Sequence, residues 1–225
     1  MATSPIVAVE KLNQISEGVQ IYLNSQHDIM SPDTITSTRA VGYALQSLIG
    51  KRLASLLGND IKDYSIGFPR WAMPDIAFTD VADFYHVVDI KTHRLGTEFN
   101  MPNLTSVKRL TKLYEDDKNY FDLILVTYSV DGLNLKIEKV QFTPIEHLKW
   151  DCLTIGALGW GQIQIANSNT VNIDHSLTRT DWMLQLCDIM LTFYPKEISK
   201  MNSRIVSFNE IKQYWLKKSG SVCRN

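Results

Sequence analysis

The chain has 225 residues, 44% of them hydrophobic and 21% charged, with a net charge of −1. That balance is rich enough in apolar residues to build a core and excludes a protein that holds nucleic acid mainly by bulk positive charge. Three cysteines without CxxC spacing (Cys152, Cys187, Cys223), no apolar run of eighteen, and an N-terminus without a basic then apolar leader exclude a disulfide scaffold and lead us to expect a cytoplasmic protein with no membrane partner.

No Pro/Gly/Ser-rich linker or internal repeat divides the chain, so one domain over 1–225 is expected. Apolar residues at Val9, Leu12, Ile15, Val19 and Leu23 predict a first helix within residues 1–30. A polar loop, Ser31 to Arg39, offers several caps for a strongly amphipathic helix through Val41, Leu45, Ile49, Leu53 and Leu57, which Gly58-Asn59 stops. Tyr64 to Phe68 reads as a short strand.

The next stretch, Met73 to Lys91, reads as a β-hairpin. Ile76 to Thr79 and Phe84 to Ile90 have strand composition, with polar Asp80 to Asp83 as the turn. A turn centred on Ala82 sets residues whose numbers sum to 164 opposite one another, so Asp75 faces Asp89. Alternation then puts Ile76, Phe78, Val88 and Ile90 on a core face and Asp75, Ala77, Val87, Asp89 and Lys91 on the other. Two carboxylates this close repel unless a cation lies between them, and oxygen-only ligation suits Mg²⁺. Lys91 shares that face, where an ammonium can orient a water or stabilise charge developing on a phosphodiester. The competing reading is a solvated hairpin face with an ordinary surface ion pair.

Beyond the hairpin, residues 93–101 read as a loop, and Pro102-Asn103 as the opening of a helix through Leu104, Val107, Leu110 and Tyr114. Its N-terminus could take a phosphate. Asn100, Asn103, Thr105 and Ser106 are candidates for DNA contact, or simply caps and turn formers. Arg94, with Lys91, His93, Lys108, Arg109 and Lys112, forms a local basic cluster. Phe121 to Val130 predicts a buried strand turned back by Asp131-Gly132 into a half-exposed one ending at Phe142. The glycine-rich run from Ile155 to Gly161 has no phosphate-loop spacing, so no nucleotide cofactor is expected. Gln162, Gln164 and Asn167 could pair with adenine edges, or belong to an ordinary edge strand. A helix from Leu177-Thr178 is expected to stop at Pro195. The tail from Val206 has helical periodicity, with 218–225 expected to be disordered.

Pro74-Asp75 followed by Asp89-Ile90-Lys91 resembles the active-site signature of the PD-(D/E)xK nuclease superfamily. Asp89 to Thr92, Met101 to Ser106, Trp160 to Ile165 and Leu177 to Trp182 together resemble, in order and approximate spacing, the blunt-cutting type II restriction endonucleases of the HincII and EcoRV group, and in size the chain resembles rare cutters of the SwaI and PmeI kind. The likeness is patchy and runs from about Thr38 to about Tyr194. It implies a single restriction-endonuclease-like α/β domain with a mixed central β-sheet flanked by helices. It implies Mg²⁺-dependent hydrolysis of double-stranded DNA by a homodimer at a palindromic site, leaving blunt 5′-phosphate ends, with Asp75, Asp89 and the Ile90 carbonyl on the metal and Lys91 as the third catalytic residue. The N-terminal helix would then sit in the dimer interface. The shortage of Arg among the DNA-facing segments points to an A·T-rich site. In the superfamily the first core helix often adds an acidic residue near the metal. Here its interior has none, and Gln46 is the nearest polar substitute. The alternatives are a structure-specific nuclease of the same superfamily, such as a junction resolvase or repair nicking enzyme, and a catalytically inactive DNA-binding module.

Overall fold

Residues 3–26, 30–31, 35–69, 72–98, 100–132 and 134–222 are described by the structure, a computed structural model. They form two compact units, Met1–Thr178 and Arg179–Asn225. The first holds the whole α/β fold and the second is a single long helix.

The first unit is built on a mixed five-stranded sheet. Its strands are β1 (Ile61–Ile66), β2 (Ile76–Asp80), β3 (Tyr85–Arg94), β5 (Asn119–Asp131) and β6 (Asn134–Pro144), in that spatial order. Only β3 and β5 run parallel. The crossover between them carries β4 (Asn103–Ser106) and α3 (Val107–Leu113). A second, three-stranded antiparallel sheet sets β8 (Gln162–Ile165) between β4 and β7 (Leu153–Gly156). The α/β class with a mixed central sheet and flanking helices is therefore as expected.

Hydrophobic alternation decides which face the helices cover. Ile76 and Phe78, Val88 and Ile90, Ile124, Val126 and Tyr128 share a core with Leu12, Ile15, Val19 and Leu23 of α1 (Val9–Asn24) and Val41, Leu45, Ile49, Leu53 and Leu57 of α2 (Thr38–Leu57). Burying each such side chain stabilises by about 1.5–3 kcal/mol. Ser37 caps α2, accepting from the Ala40 N–H, and Gly58 ends it at φ +59°. The polar side of α1 is also used internally. Asn24 pairs with both backbone groups of Ile137, Gln20 donates to the Glu138 carbonyl, and Ser16 accepts from the Phe142 N–H. These side chains occupy the open edge of β6, which would otherwise template pairing with another chain. α1 thus directs its apolar stripe and much of its polar face to its own sheet.

Three expected elements differ. Residues 103–106 form β4, paired with β8, and the helix begins only at Val107. The β-branched Thr105 and the capping hydroxyl of Ser106, which accepts from the Arg109 N–H, outweigh the Pro102 start signal. The Gln162 segment is the middle strand of its sheet and not an edge. The last helix, α4 (Arg179–Val222), runs through Pro195 without stopping. Proline removes one interior hydrogen bond, and the strong helix formers on both sides propagate past it. Residues 218–222, expected to be disordered, are helical, and 223–225 lie outside the described residues. No described helix is long and apolar enough to cross a membrane.

Candidate active site

The β2–β3 register is Ile76↔Val88, Ala77↔Val87, Phe78↔His86 and Thr79↔Tyr85, every pair summing to 164 as expected. Asp75 continues it, its N–H donating 2.9 Å to the Val88 carbonyl. Its Oδ2 accepts 2.8 Å from the Ile90 N–H and its Oδ1 accepts from the Gln46 amide. The polar side chain on α2 that stands where the superfamily often has an acid therefore grips the first carboxylate. Ile90 itself turns its side chain into the core, 7% exposed, while its N–H fixes Asp75.

Asp89 is buried on the opposite face of β3 from that core. Lys91 Nζ lies 2.8 Å from both its carboxylate oxygens, donating to Oδ1 and ion-paired with Oδ2. Desolvation is the main force on the Asp89 carboxyl and the Asp75 charge adds to it. Together they outweigh Lys91 and push its pKa up to about 7. Asp75 is also raised, by desolvation, against the restraining Ile90 N–H and Lys91 charge. Two carboxylates that both resist ionisation form a site short of positive charge.

These groups open into a cleft of about 460 Å³ whose other wall comes from the crossover and the small sheet. Thr105, Ser106, Arg109 and Gln162 line it with Asp75, Asp89 and Lys91. Thr105 Oγ1 is buried and has no hydrogen-bond partner among the described residues. Among the described residues no three His, Cys, Asp or Glu side chains converge on one point. A cation here would take two carboxylates and complete its shell with backbone carbonyl, water and substrate oxygens, which is the habit of Mg²⁺. The two carboxyls, both raised by desolvation and lining one cleft, fit such a cation.

The other candidates separate into groups. Asn103 accepts from the Gln164 amide, so these two are held to each other across β4 and β8. The Asn100 carbonyl accepts from Ser168, tying two loops together, and Asn167 accepts from the backbone and side chain of Asn169 in a local turn. Arg94 stands on the helix-covered face of β3, opposite to Asp89 and Lys91, and does not line the cleft. Arg109, read at first only as one member of a basic cluster, points into the cleft. Its signal was its place three residues after Ser106, one helical turn beyond the cap.

No model of a known protein family matches this chain, and a search of curated protein sequences finds no match.

Proposed function

We propose that the protein is a Mg²⁺-dependent nuclease of the PD-(D/E)xK type, a type II restriction endonuclease that hydrolyses double-stranded DNA at a palindromic, A·T-rich site in the bacterial cytoplasm. The observation that carries this reading is the cross-strand pair Asp75 and Asp89, both raised by desolvation, with Lys91 on the same face and 2.8 Å from both oxygens of the buried Asp89. Mg²⁺, when bound by Asp75, Asp89 and the Ile90 carbonyl, supplies charge that polarises the scissile phosphate.

The chain's own residues account for the remaining requirements. With its charge no longer needed to neutralise Asp89, the Lys91 ammonium faces the phosphate and orients a water for in-line attack on phosphorus. The new P–O bond forms as the bond to the 3′ oxygen breaks, and the 3′ oxygen takes up a proton, giving 5′-phosphate and 3′-hydroxyl ends. Arg109 pairs with a phosphate oxygen from the opposite wall of the cleft, and Thr105 offers its unengaged hydroxyl. Gln162, and the mutually held Asn103 and Gln164, present amides suited to adenine edges. A two-fold pair of chains reads a palindrome and cuts each strand once, leaving blunt ends.

The test is incubation of the wild-type protein and Lys91→Ala with a large duplex DNA of known sequence in Mg²⁺, in Ca²⁺ and in EDTA. Discrete blunt fragments only with Mg²⁺ and wild-type protein are the expected result. Duplex left whole while branched DNA is cut would replace this reading with a structure-specific nuclease. Binding without cutting of either substrate would leave an inactive DNA-binding module.

A further inference from the structure

α4 spans 44 residues, about 66 Å at 1.5 Å per residue. Its buried apolar positions, Trp182, Leu186 and Met190, lie along one side of its first turns. A second apolar stripe runs along a different side and much farther. Leu184, Leu191, Ile198, Ile205 and Lys212 recur every seven residues, and Cys187, Tyr194, Met201, Phe208 and Trp215 follow each by three. This is the a/d heptad spacing of two helices that wind around each other. Its apolar members stand out in solvent: Leu191 is 73% exposed, Phe208 70%, and Ile198, Ile205 and Trp215 59% each. Soluble chains rarely expose so long an apolar seam unless something packs on it.

We propose that the stripe from Leu184 to Trp215 is the docking surface for a second copy of this chain, the two α4 helices pairing antiparallel. Area supports a second copy as the occupant. Leu184, Leu191, Ile198, Met201, Ile205, Phe208 and Trp215 are each more than half exposed, and fourteen such side chains from two copies, at roughly 80 Å² each, reach the roughly 1,000 Å² that a specific interface needs. An identical helix also offers a matching seam of the same length.

Charge and bulk choose the orientation. A parallel pair stacks Lys212 on Lys212 and Trp215 on Trp215. An antiparallel pair with Ile198 against Met201 sets Leu191 against Phe208, Leu184 against Trp215, Ile205 against Tyr194 and Lys212 against Cys187, so each large residue meets a smaller one. The antiparallel register also removes the Lys212–Lys212 repulsion that a parallel pair would place in the seam. Pro195 falls beside the seam and not in it. This contact would supply the two-fold pairing that the nuclease reading calls for; it is argued from α4 alone and its test involves no DNA, so its failure leaves the cleavage test of Asp75, Asp89 and Lys91 standing.

Light scattering of the full chain at micromolar concentration should give twice 25.7 kDa. Ile198→Asp combined with Ile205→Asp should weaken self-association by about a hundredfold or more and return the mass to 25.7 kDa, with the thermal transition of the α/β unit unchanged. In a Cys223→Ser background, Lys212→Cys should form a reducible covalent dimer through Cys187 when oxidised by diamide, whereas Cys187 without the new thiol should not. A wild-type monomer, a trimer or tetramer, or a double Asp variant that remains dimeric would overturn the proposal. Cross-linking of Cys187 to itself in the absence of the Lys212→Cys thiol would overturn the antiparallel arrangement.

Discussion

The β2–β3 hairpin carries an acidic cluster at each end, on opposite faces, and their carboxylates are driven in opposite directions. At the turn end Asp80 is fully buried, yet it accepts from the Ser4 hydroxyl and from the Ala82 and Phe84 N–H groups. His86 stacks between Phe78 and Tyr120 and bonds Asp122 at 2.6 Å. Desolvation opposes the charge on Asp80, but His86, Ser4 and the Phe84 N–H outweigh it and hold its pKa down at about 2. At the open end Asp75 and Asp89 share one ammonium, and both are raised. The difference shows that acidity alone does not mark a functional site. A buried carboxylate with enough donors closes a structure, and one left short of donors and facing a cleft is prepared for a ligand.

The sharpest way to break this contrast is to remove the ammonium. Lys91→Ala should lower DNA cleavage about a thousandfold while binding in Ca²⁺ is retained, measured by single-turnover cleavage and gel shift. Loss of binding and cleavage together would make Lys91 a structural residue.

pH separates the two ends next. For His86, desolvation lowers the pKa, but the Asp122 and Asp80 charges and hydrogen bonds outweigh it and raise it to about 9. A raised histidine stabilises the fold fully below its unfolded value of about 6.5, and the contribution disappears as pH rises through about 9. The unfolding free energy should therefore drop on the order of 3 kcal/mol between pH 6.5 and 9.5, and His86→Ala should flatten that slope. Denaturant unfolding at stepped pH reads both.

The open end should lose stability in the same direction but over a lower pH window. A carboxyl raised to about 7 costs stability that grows as pH rises from about 4 to 7. Asp89→Asn should therefore stabilise the metal-free protein at pH 8 by roughly 1–3 kcal/mol. Added Mg²⁺ should raise the wild-type melting temperature more at pH 8 than at pH 6 and leave that of the variant unmoved. A destabilised Asp89→Asn protein would mean that the Lys91 pair outweighs the desolvation.

The smallest effects compare two hydroxyls. Ser4→Ala removes a donor from buried Asp80 and should cost about 1–3 kcal/mol. Thr105→Val removes a buried hydroxyl that bonds nothing and should change stability by less than about 1 kcal/mol while lowering cleavage.

Much of the open end was legible in the sequence because it depends on short-range rules. Alternation fixed which face Asp75, Asp89 and Lys91 share, and the turn fixed the pairing. Gln46 could be picked out as the nearest polar substitute on a helix whose interior has no acidic residue. The closed end was not legible, since Ser4, Asp80, His86 and Asp122 come from four separate places and no local spacing links them. The strand at 103–106 was misread as helix for a similar reason: its partner is some sixty residues away, and a four-residue strand has too little periodicity to outweigh an adjacent proline. At Pro195 the error was the converse, a local stop signal trusted over the helix propensity around it.

The Asp75 carboxylate, by bonding the Ile90 N–H, extends the strand pairing one step past Ile76. The residue proposed to hold the metal is therefore also a fastener of the hairpin's open end. Fraying there, which precedes global melting in most sheets, would swing the carboxylate out of place. Heat inactivation of the proposed DNA cleavage should accordingly run ahead of loss of the fold and reverse on cooling, so that the midpoint for cleavage falls several degrees below the midpoint for sheet structure.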